Sequence, residues 1–258
     1  ELINKHPSIK NVPYNGIAES NYERCYINSE GALRQIKRTQ STLYLFARAE
    51  SNKGKPRSSG SIKIALGSNE LDIESCVEEA YSKTISHLNY QAIKTGTYII
   101  CFTPEAFLDL IGAFGNIFNA RSVIDGTSLS TRNSIGENIS VPYFSLIDNG
   151  LSKANIGASS FDGEGTPTKE IKLINGGILE NFIHSEATAR EFGVQPTGHA
   201  GLGAKVSVGP DWYQVMKTPN VDTLSSLNHL STKDDFILIE GLNALHAGVK
   251  PSQGSFSL

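Results

Sequence analysis

The pattern of apolar and polar positions changes its period early in the chain. Partial alternation, rich in β-branched and aromatic residues, predicts strands at 23–27, 41–49 and 59–65. The polar segment 50–60 predicts a turn that joins the last two strands into a hairpin. From 72 to 88 the apolar residues instead recur at helical spacing, which predicts an amphipathic helix. Its apolar face comprises Ile73, Cys76, Val77, Ala80, Thr84 and Leu88.

A second helix is predicted directly after a short apolar strand at 96–102. Thr103 is a suitable N-cap, Pro104 takes the first helical position, and Glu105 lies beside the positive end of the helix dipole. The segment 103–118 is apolar on nearly every side. We therefore expect this helix to be central and packed on a sheet.

Short strands and turns dominate the remainder of the chain. The segment 125–150 is rich in loops, and strands at 171–174 and 178–183 flank a turn at 175–177, which indicates a hairpin. A third helix is predicted at 185–192 and a further strand at 236–239. Because strands and helices do not alternate regularly, we predict an α+β fold with mostly antiparallel sheets. A domain boundary is predicted near 130, giving domains 1–130 and 131–258.

Composition narrows the possible classes. The chain has 258 residues, a net charge of −3 and a pI near 6.1, so it offers no basic surface for nucleic acid. Three widely spaced cysteines without a CxxC pair indicate buried thiols in a reducing compartment. No apolar run is long enough for a membrane span, and no leader pattern opens the chain, so we expect a cytoplasmic protein. Because it starts without methionine, we expect a piece of a longer chain.

An acidic glycine-rich turn, FDGEGTPT at 161–168, runs directly into LINGGILENFIHSEATAREFGVQPTGHA at 173–200. Together with IKTG at 93–96 and LHAGV at 245–249, these blocks resemble the carboxy-terminal half of the TldD/PmbA family, the modulators of DNA gyrase. The resemblance extends from about residue 70 to the end of the chain. It implies a TldD/PmbA-like fold and a connection with zinc-dependent peptide cleavage.

The family divides into metal-bearing and metal-free branches. In the metal-bearing branch a helix carries HExxxH, with a further cysteine ligand near the far carboxy terminus. Matching the helix 103–118 to that pattern places Leu108 and Ala113 at the histidine positions and Asp109 at the glutamate position. No HExxxH occurs in the sequence. The resemblance therefore implies the PmbA/TldE branch, a metal-free subunit whose zinc is carried by a TldD-like partner.

Two groups of polar residues remain candidates for chemistry. His184, His199 and His246 would form a metal triad in an independent hydrolase, but their spacing has no helical i, i+4 pair and favours hydrogen-bonded loop histidines. Asp162 and Glu164 would form an acid/base pair. Their two-residue spacing in a glycine-rich turn favours capping of backbone amides.

Glycines in the same region allow a phosphate cradle or turns with positive φ, and the lack of a nucleotide motif favours turns. They are Gly163, Gly165, Gly176, Gly177, Gly198, Gly201 and Gly203. The strand edges would suit an extended peptide. We expect no catalytic residue and no metal in this chain. The candidate substrate or interface residues are Asp162, Glu164, Gly165, Thr166, His199, His246 and Trp212.

The sequence therefore predicts a non-catalytic PmbA/TldE-like subunit of a peptidase, paired with a TldD-like partner or with a second copy. Segments 128–143 and 206–216 are the candidate interface, with no nucleic acid or membrane partner. Two alternatives stay open. One is the independent hydrolase built on the three histidines. The other is an interaction module that binds peptides or a gyrase-related protein without proteolysis.

Overall fold

The computed structural model describes residues 3, 6–50, 55–217, 236–242 and 244–256. Two compact units are distinguished: Glu1–Tyr26 with Gln35–Thr95, and Ile27–Arg34 with Gly96–Leu258. The boundary predicted at 130 falls inside the second unit. The loop-rich segment there is bonded to a core strand region, because Gly136 N–H donates to Leu179 (2.8 Å) and Ile139 N–H donates to Gly177 (2.9 Å). Loop composition alone does not reveal such bonds.

The first unit contains a three-stranded sheet in the order β1–β2–β3. The strands are β1 (Ile9–Ile27), β2 (Leu33–Ala49) and β3 (Arg57–Ala65). The predicted hairpin is present, with β2 and β3 antiparallel from Ser41 opposite Ala65 to Ala49 opposite Arg57. β1 begins much earlier than the predicted 23–27. Most of its side chains are exposed, so the alternating apolar signal of a half-buried strand is weak there.

Helix α1 (Ile73–Ser86) covers β3 in this unit. Its N-cap Asp72 accepts a hydrogen bond from Ser75 N–H at 2.9 Å. The buried residues Cys76, Ala80 and Thr84 recur every four positions, as the helical period predicts. The Thr84 hydroxyl donates to the Ser59 carbonyl of β3 at 3.2 Å. Ile73 is exposed, contrary to the predicted face, because it lies at the first helical position, before the turn that is buried.

The second unit is built on a four-stranded antiparallel sheet in the order β10–β5–β6–β7. Its strands are β5 (Leu146–Asn149), β6 (Glu170–Asn175), β7 (Ile178–Leu179) and β10 (Tyr213–Val215). The fully or nearly fully buried core residues are Phe118, Ala120, Leu146, Ile171, Leu173, Ile174, Leu179, Phe182 and Ile183. The short pairs β8 (Ala200–Gly201) with β9 (Ser207–Val208), and β12 (Val249–Lys250) with β13 (Ser255–Phe256), complete the described antiparallel pairing.

The predicted helix 103–118 is shorter and less central than expected. α2 (Pro104–Ala113) ends before a 3₁₀ turn at Gly115–Ile117. Of its residues only Ala106 is fully buried, although Leu108 and Ile111 pack against the core. Thr103 caps its first turn by accepting from Ala106 N–H at 3.3 Å. The preceding strand β4 (Ile99–Phe102) pairs in parallel with β11 (Phe236–Ile239), an exception to the antiparallel pattern.

The predicted strand 178–183 stops at Leu179 because the chain then leaves the sheet. Ile183 instead exchanges backbone hydrogen bonds with Phe118 (2.8 Å) and Ala120 (3.2 Å), next to helix α3 (Ala120–Ile124). Helix α4 (Glu186–Phe192) follows, with Ser185 in a capping box and Gly193 at its end in the left-handed region. One further helical turn, α5 (Leu245–Gly248), precedes β12. The α+β class with mostly antiparallel sheets is confirmed. Among the described residues, no helix combines the length and apolar character required to span a membrane.

Candidate functional site

Asp148 organises the part of the second unit that carries most of the candidate residues. Its side chain is fully buried in β5, opposite Tyr213 of β10. One carboxylate oxygen, Oδ1, accepts from Trp212 N–H at 2.9 Å and from Asp211 N–H at 3.2 Å. The other, Oδ2, accepts from Asp211 N–H at 3.0 Å. Hydrogen bonds to a buried carboxylate are stronger than neutral ones, so Asp148 fixes the chain at the start of β10.

His199 lies next to Asp148 and belongs to the loop at 197–200, the TGHA loop. Gly198 before it has φ +79°, and a Cβ there would lie 2.6 Å from the Pro167 carbonyl oxygen, so only glycine suits this turn. The imidazole is fully buried, with Nδ1 2.9 Å from the Thr197 hydroxyl. Its other nitrogen, Nε2, has no hydrogen-bond partner among the described residues. Nε2 lies 3.5 Å from Asp148 Oδ1 and 4.0 Å from Asp211 Oδ2.

The acidic turn behaves as its two-residue spacing favoured. Asp162 Oδ1 accepts from Glu164 N–H and Thr166 N–H, both at 2.9 Å, while Oδ2 accepts from Ala200 N–H at 2.9 Å. Gly165 lies in the left-handed region with φ +81°. Glu164 accepts from Glu186 N–H at 2.8 Å, at the first position of α4. These carboxylates therefore tie the turn to the TGHA loop and to a helix N-terminus.

His184 is also buried, just before helix α4, and its backbone N–H donates to the Thr197 hydroxyl of the TGHA loop at 2.6 Å. Its ring lies against the rings of Phe182 and Phe192, and its Nδ1 is 3.3 Å from the Thr188 hydroxyl. Burial lowers the pKa of His184 to about 4, so the imidazole is neutral at physiological pH. It lines a cavity of about 340 Å³ together with these phenylalanines.

Of the three histidines proposed as a metal triad, the described part of the chain places the side chains of His184 and His199. Within the described residues, His199 groups with Asp148 and Asp211 as possible metal ligands, and His184 is not in that group. The side chain of His246 lies outside the described part of the chain. Sequence reasoning missed Asp148 and Asp211. Both lie beside common turn residues, so neither has a distinctive local pattern. Only the pairing of β5 with β10 brings them together.

The segments predicted to form an interface expose apolar side chains. Trp212 is 38% exposed, so it is not a fully buried core residue. The other large exposed apolar residues in these segments are Leu129, Ile135, Ile139, Val141, Tyr143, Val206, Val215 and Met216. A concentration of exposed apolar groups is typical of a binding surface, although single exposed residues are not.

Helix α2, matched to the HExxxH helix of the metal-bearing branch, has no histidine at the two matched positions. Leu108 packs against the core of the second unit, and Ala113 is the last residue of α2. Asp109 is exposed between them and belongs to no described cluster of ligand-type side chains. Neither leucine nor alanine has a lone pair for a cation.

Comparison with known proteins supports the resemblance along the whole chain. The PmbA/TldA metallopeptidase C-terminal domain matches residues 95–258, and the central domain of the same family matches residues 1–88. The chain is 29% identical over 171 residues to a metalloprotease TldD homolog of Buchnera aphidicola, covering 66% of this chain and 34% of that one.

Two solved structures share the fold. A putative modulator of DNA gyrase from Thermotoga maritima has a TM-score of 0.88 and 26% identity, over 99% of this chain and 57% of its own. TldE from Thermococcus kodakarensis has a TM-score of 0.82 and 20% identity, over 97% of this chain and 56% of its own. The chain therefore spans about half the length of these structures, and about a third of the Buchnera protein.

A chain with this pair of domains belongs to a class of α+β metallopeptidase-like proteins. It is a member of the PmbA/TldD family, as the sequence blocks indicated. Within the family, similar proteins bear both the TldD and the TldE name.

Proposed function

We propose that this chain is a PmbA/TldE-like subunit that does not catalyse hydrolysis itself, in a TldD/TldE-type zinc metallopeptidase acting on peptides. The proposal depends on which residues helix α2 has at two positions. At the two positions where the metal-bearing branch has histidines, this helix has Leu108, packed on the core, and Ala113. Hydrolytic zinc sites need three protein ligands and an open position for water, and this helix supplies none of the ligands.

A subunit that does not catalyse hydrolysis would instead contribute a binding surface. The exposed apolar residues of segments 128–143 and 206–216 lie in the domain that matches the family's C-terminal domain. We propose that they form an interface with a TldD-like partner or with a second copy of the chain. A stable interface of this kind buries at least ~1,000 Å² in total and is apolar at its centre. Trp212, large and part-exposed, is its best anchor candidate.

Peptide binding is the second contribution that we propose. Among the described strands, β10 and β7 are the edge strands of the four-stranded sheet. An extended peptide can pair with such an edge strand through main-chain hydrogen bonds. β10 is the better candidate, because Val215, its last residue, and Met216 after it expose apolar side chains beside the proposed interface. No nucleic acid takes part in this proposal, and it retains the cytoplasmic location expected from the sequence.

The alternatives receive less support. An independent hydrolase based on His184, His199 and His246 needs convergent imidazoles. His184 is instead enclosed by Phe182, Phe192 and Thr188, while His199 faces two carboxylates. An interaction module without proteolysis would use the same exposed surface, and only a functional assay separates it from the subunit proposed here.

The test is reconstitution of the full chain with a relative that carries HExxxH. We expect a stable complex by size-exclusion chromatography with light scattering, and peptide hydrolysis that depends on the histidines of the relative. Hydrolysis of an unstructured fluorogenic peptide is the readout. Chelator-sensitive cleavage by the chain alone would refute the non-catalytic assignment. A complex that forms but never cleaves peptides would favour the interaction module.

A further inference from the structure

A buried imidazole nitrogen without a hydrogen-bond partner faces two carboxylates in the second unit. His199 Nε2, Asp148 and Asp211 present ligand atoms that all lie within 4.8 Å of one another. His199 and Asp148 have fully buried side chains, and Asp211 is about one third exposed. A buried polar atom without a partner is costly, which calls for an explanation of this nitrogen.

We propose that Asp148, His199 and Asp211 bind one divalent transition-metal ion, with Zn²⁺ as the best fit. This site lies apart from the matched positions of helix α2, and zinc bound here would revise the expectation that this chain carries no metal. One imidazole nitrogen and two carboxylate oxygens form a mixed donor set that suits zinc better than magnesium or calcium, which prefer oxygen alone.

The distances agree with coordination better than with direct pairing. Two ligand atoms on a tetrahedral zinc ion lie about 3.4 Å apart when each bond has its usual length. The observed separations from His199 Nε2 are 3.5 Å to Asp148 and 4.0 Å to Asp211. A charge-assisted hydrogen bond from a protonated imidazole would be roughly 2.7–2.9 Å long. Small movements of Asp211, the most exposed of the three, would complete the site.

The surroundings hold the ligands in place without the metal. Thr197 lies 2.9 Å from His199 Nδ1, so the imidazole orientation is fixed through its other nitrogen. Backbone N–H groups of Asp211 and Trp212 fix the Asp148 carboxylate. Gly150 leaves room for Asp211, because a Cβ at that position would overlap the Asp211 carboxylate. Asp211, about one third exposed, is the one of the three ligands that contacts solvent.

The experiment uses the full chain, treated with chelator, dialysed and titrated with ZnCl₂ by calorimetry. We expect about one zinc ion per chain and a higher melting temperature with zinc, because a ligand that binds only the folded state stabilises it. The visible spectrum with Co²⁺ should show the absorption of a low-symmetry, four-coordinate nitrogen and oxygen site. Absence of zinc binding to the wild-type chain would overturn the proposal.

Asp211→Asn is the main variant, since its backbone N–H, which Asp148 binds, is retained. Affinity should fall by at least ~10-fold, because even changes behind the first ligands have effects of that size. Asp125→Asn is the matched control: it also removes one part-exposed carboxylate, here paired with Arg121 on α3, and should leave zinc binding unchanged. His199→Asn, which removes the nitrogen ligand, should lower the zinc affinity by at least ~10-fold as well. Equal zinc affinity in wild type, Asp211→Asn and His199→Asn would place the ion elsewhere and overturn the proposal.

Discussion

Helix α2 and the loops around His199 belong to the same unit, but their functional residues differ in how far the sequence reveals them. α2 is regular, and its two informative positions, Leu108 and Ala113, are visible in the sequence because they lie on one short segment. The polar cluster joins residues from β5, from the TGHA loop and from the start of β10, more than sixty residues apart at its extremes. The ligands that a helix lacks can therefore be identified from its sequence alone. A polar cluster drawn from separate loops is recognised only in the folded structure.

The largest effect is expected for Leu108→Asp in α2. It places a charge against the core of the second unit, where no partner is described for it, and should cost more than ~3 kcal/mol in unfolding free energy. Urea denaturation measures the loss. Asp109→Ala, at the exposed neighbouring position, is the control and should change stability by less than ~0.5 kcal/mol. Equal effects of both changes would mean that α2 is not packed as described.

Stability should depend on pH through His184 in the loop region. Its folded pKa of about 4 is below the ordinary value of 6.5, so folding favours the neutral imidazole. That stability is complete above pH 6.5 and is lost as the pH falls towards 4, by up to roughly 3 kcal/mol. Denaturation at several pH values, with His184→Gln for comparison, measures this. An unchanged slope between these pH values in the variant would exclude His184 as the cause.

Asp148→Ala should have a smaller effect, of about 1–3 kcal/mol, because the N–H groups of Asp211 and Trp212 lose their acceptor. Thermal unfolding in chelator isolates this contribution from any bound metal. Asp211→Asn provides the contrast, since it keeps every backbone bond to Asp148. If Asp211→Asn were as destabilising as Asp148→Ala, the hydrogen bonds to the backbone would not be the reason.

Trp212→Ala should separate a surface role from a core role. Because the side chain is 38% exposed, we expect a modest change in the melting temperature of the isolated chain and a marked loss of association with the partner. Sedimentation velocity of the complex measures the association. A stability loss near 3–5 kcal/mol in the isolated chain would indicate that Trp212 acts as a core residue.

The double substitution Leu108→His with Ala113→His should yield no peptidase activity in the chain alone. It restores two imidazoles to α2 but not the third ligand or the groups that orient them. Peptide cleavage and zinc content measure the outcome, with the wild-type chain as control. Recovered zinc-dependent cleavage would show that the surroundings of α2 already contain the missing ligand.

The prediction of individual elements succeeded where a local period or cap was present. The helix at α1 follows its four-residue repeat of Cys76, Ala80 and Thr84, and α4 follows the Ser185 cap and Gly193 stop. It failed where burial depended on distant partners. β1 was underestimated because its side chains are mostly exposed, and strand β7 ended early because Ile183 bonds to Phe118 and Ala120.

The sequence by itself determined the family, the α+β class and the absence of histidine at the matched positions of α2, since each depends on residue types within short segments. It also favoured capping by Asp162, because Asp-x-Glu in a glycine-rich turn bonds to nearby amides. Only the tertiary structure decided that His199 would face Asp148 and Asp211. Antiparallel pairing of β5 with β10 brings these residues together, and no local pattern encodes which distant loop meets a given strand end.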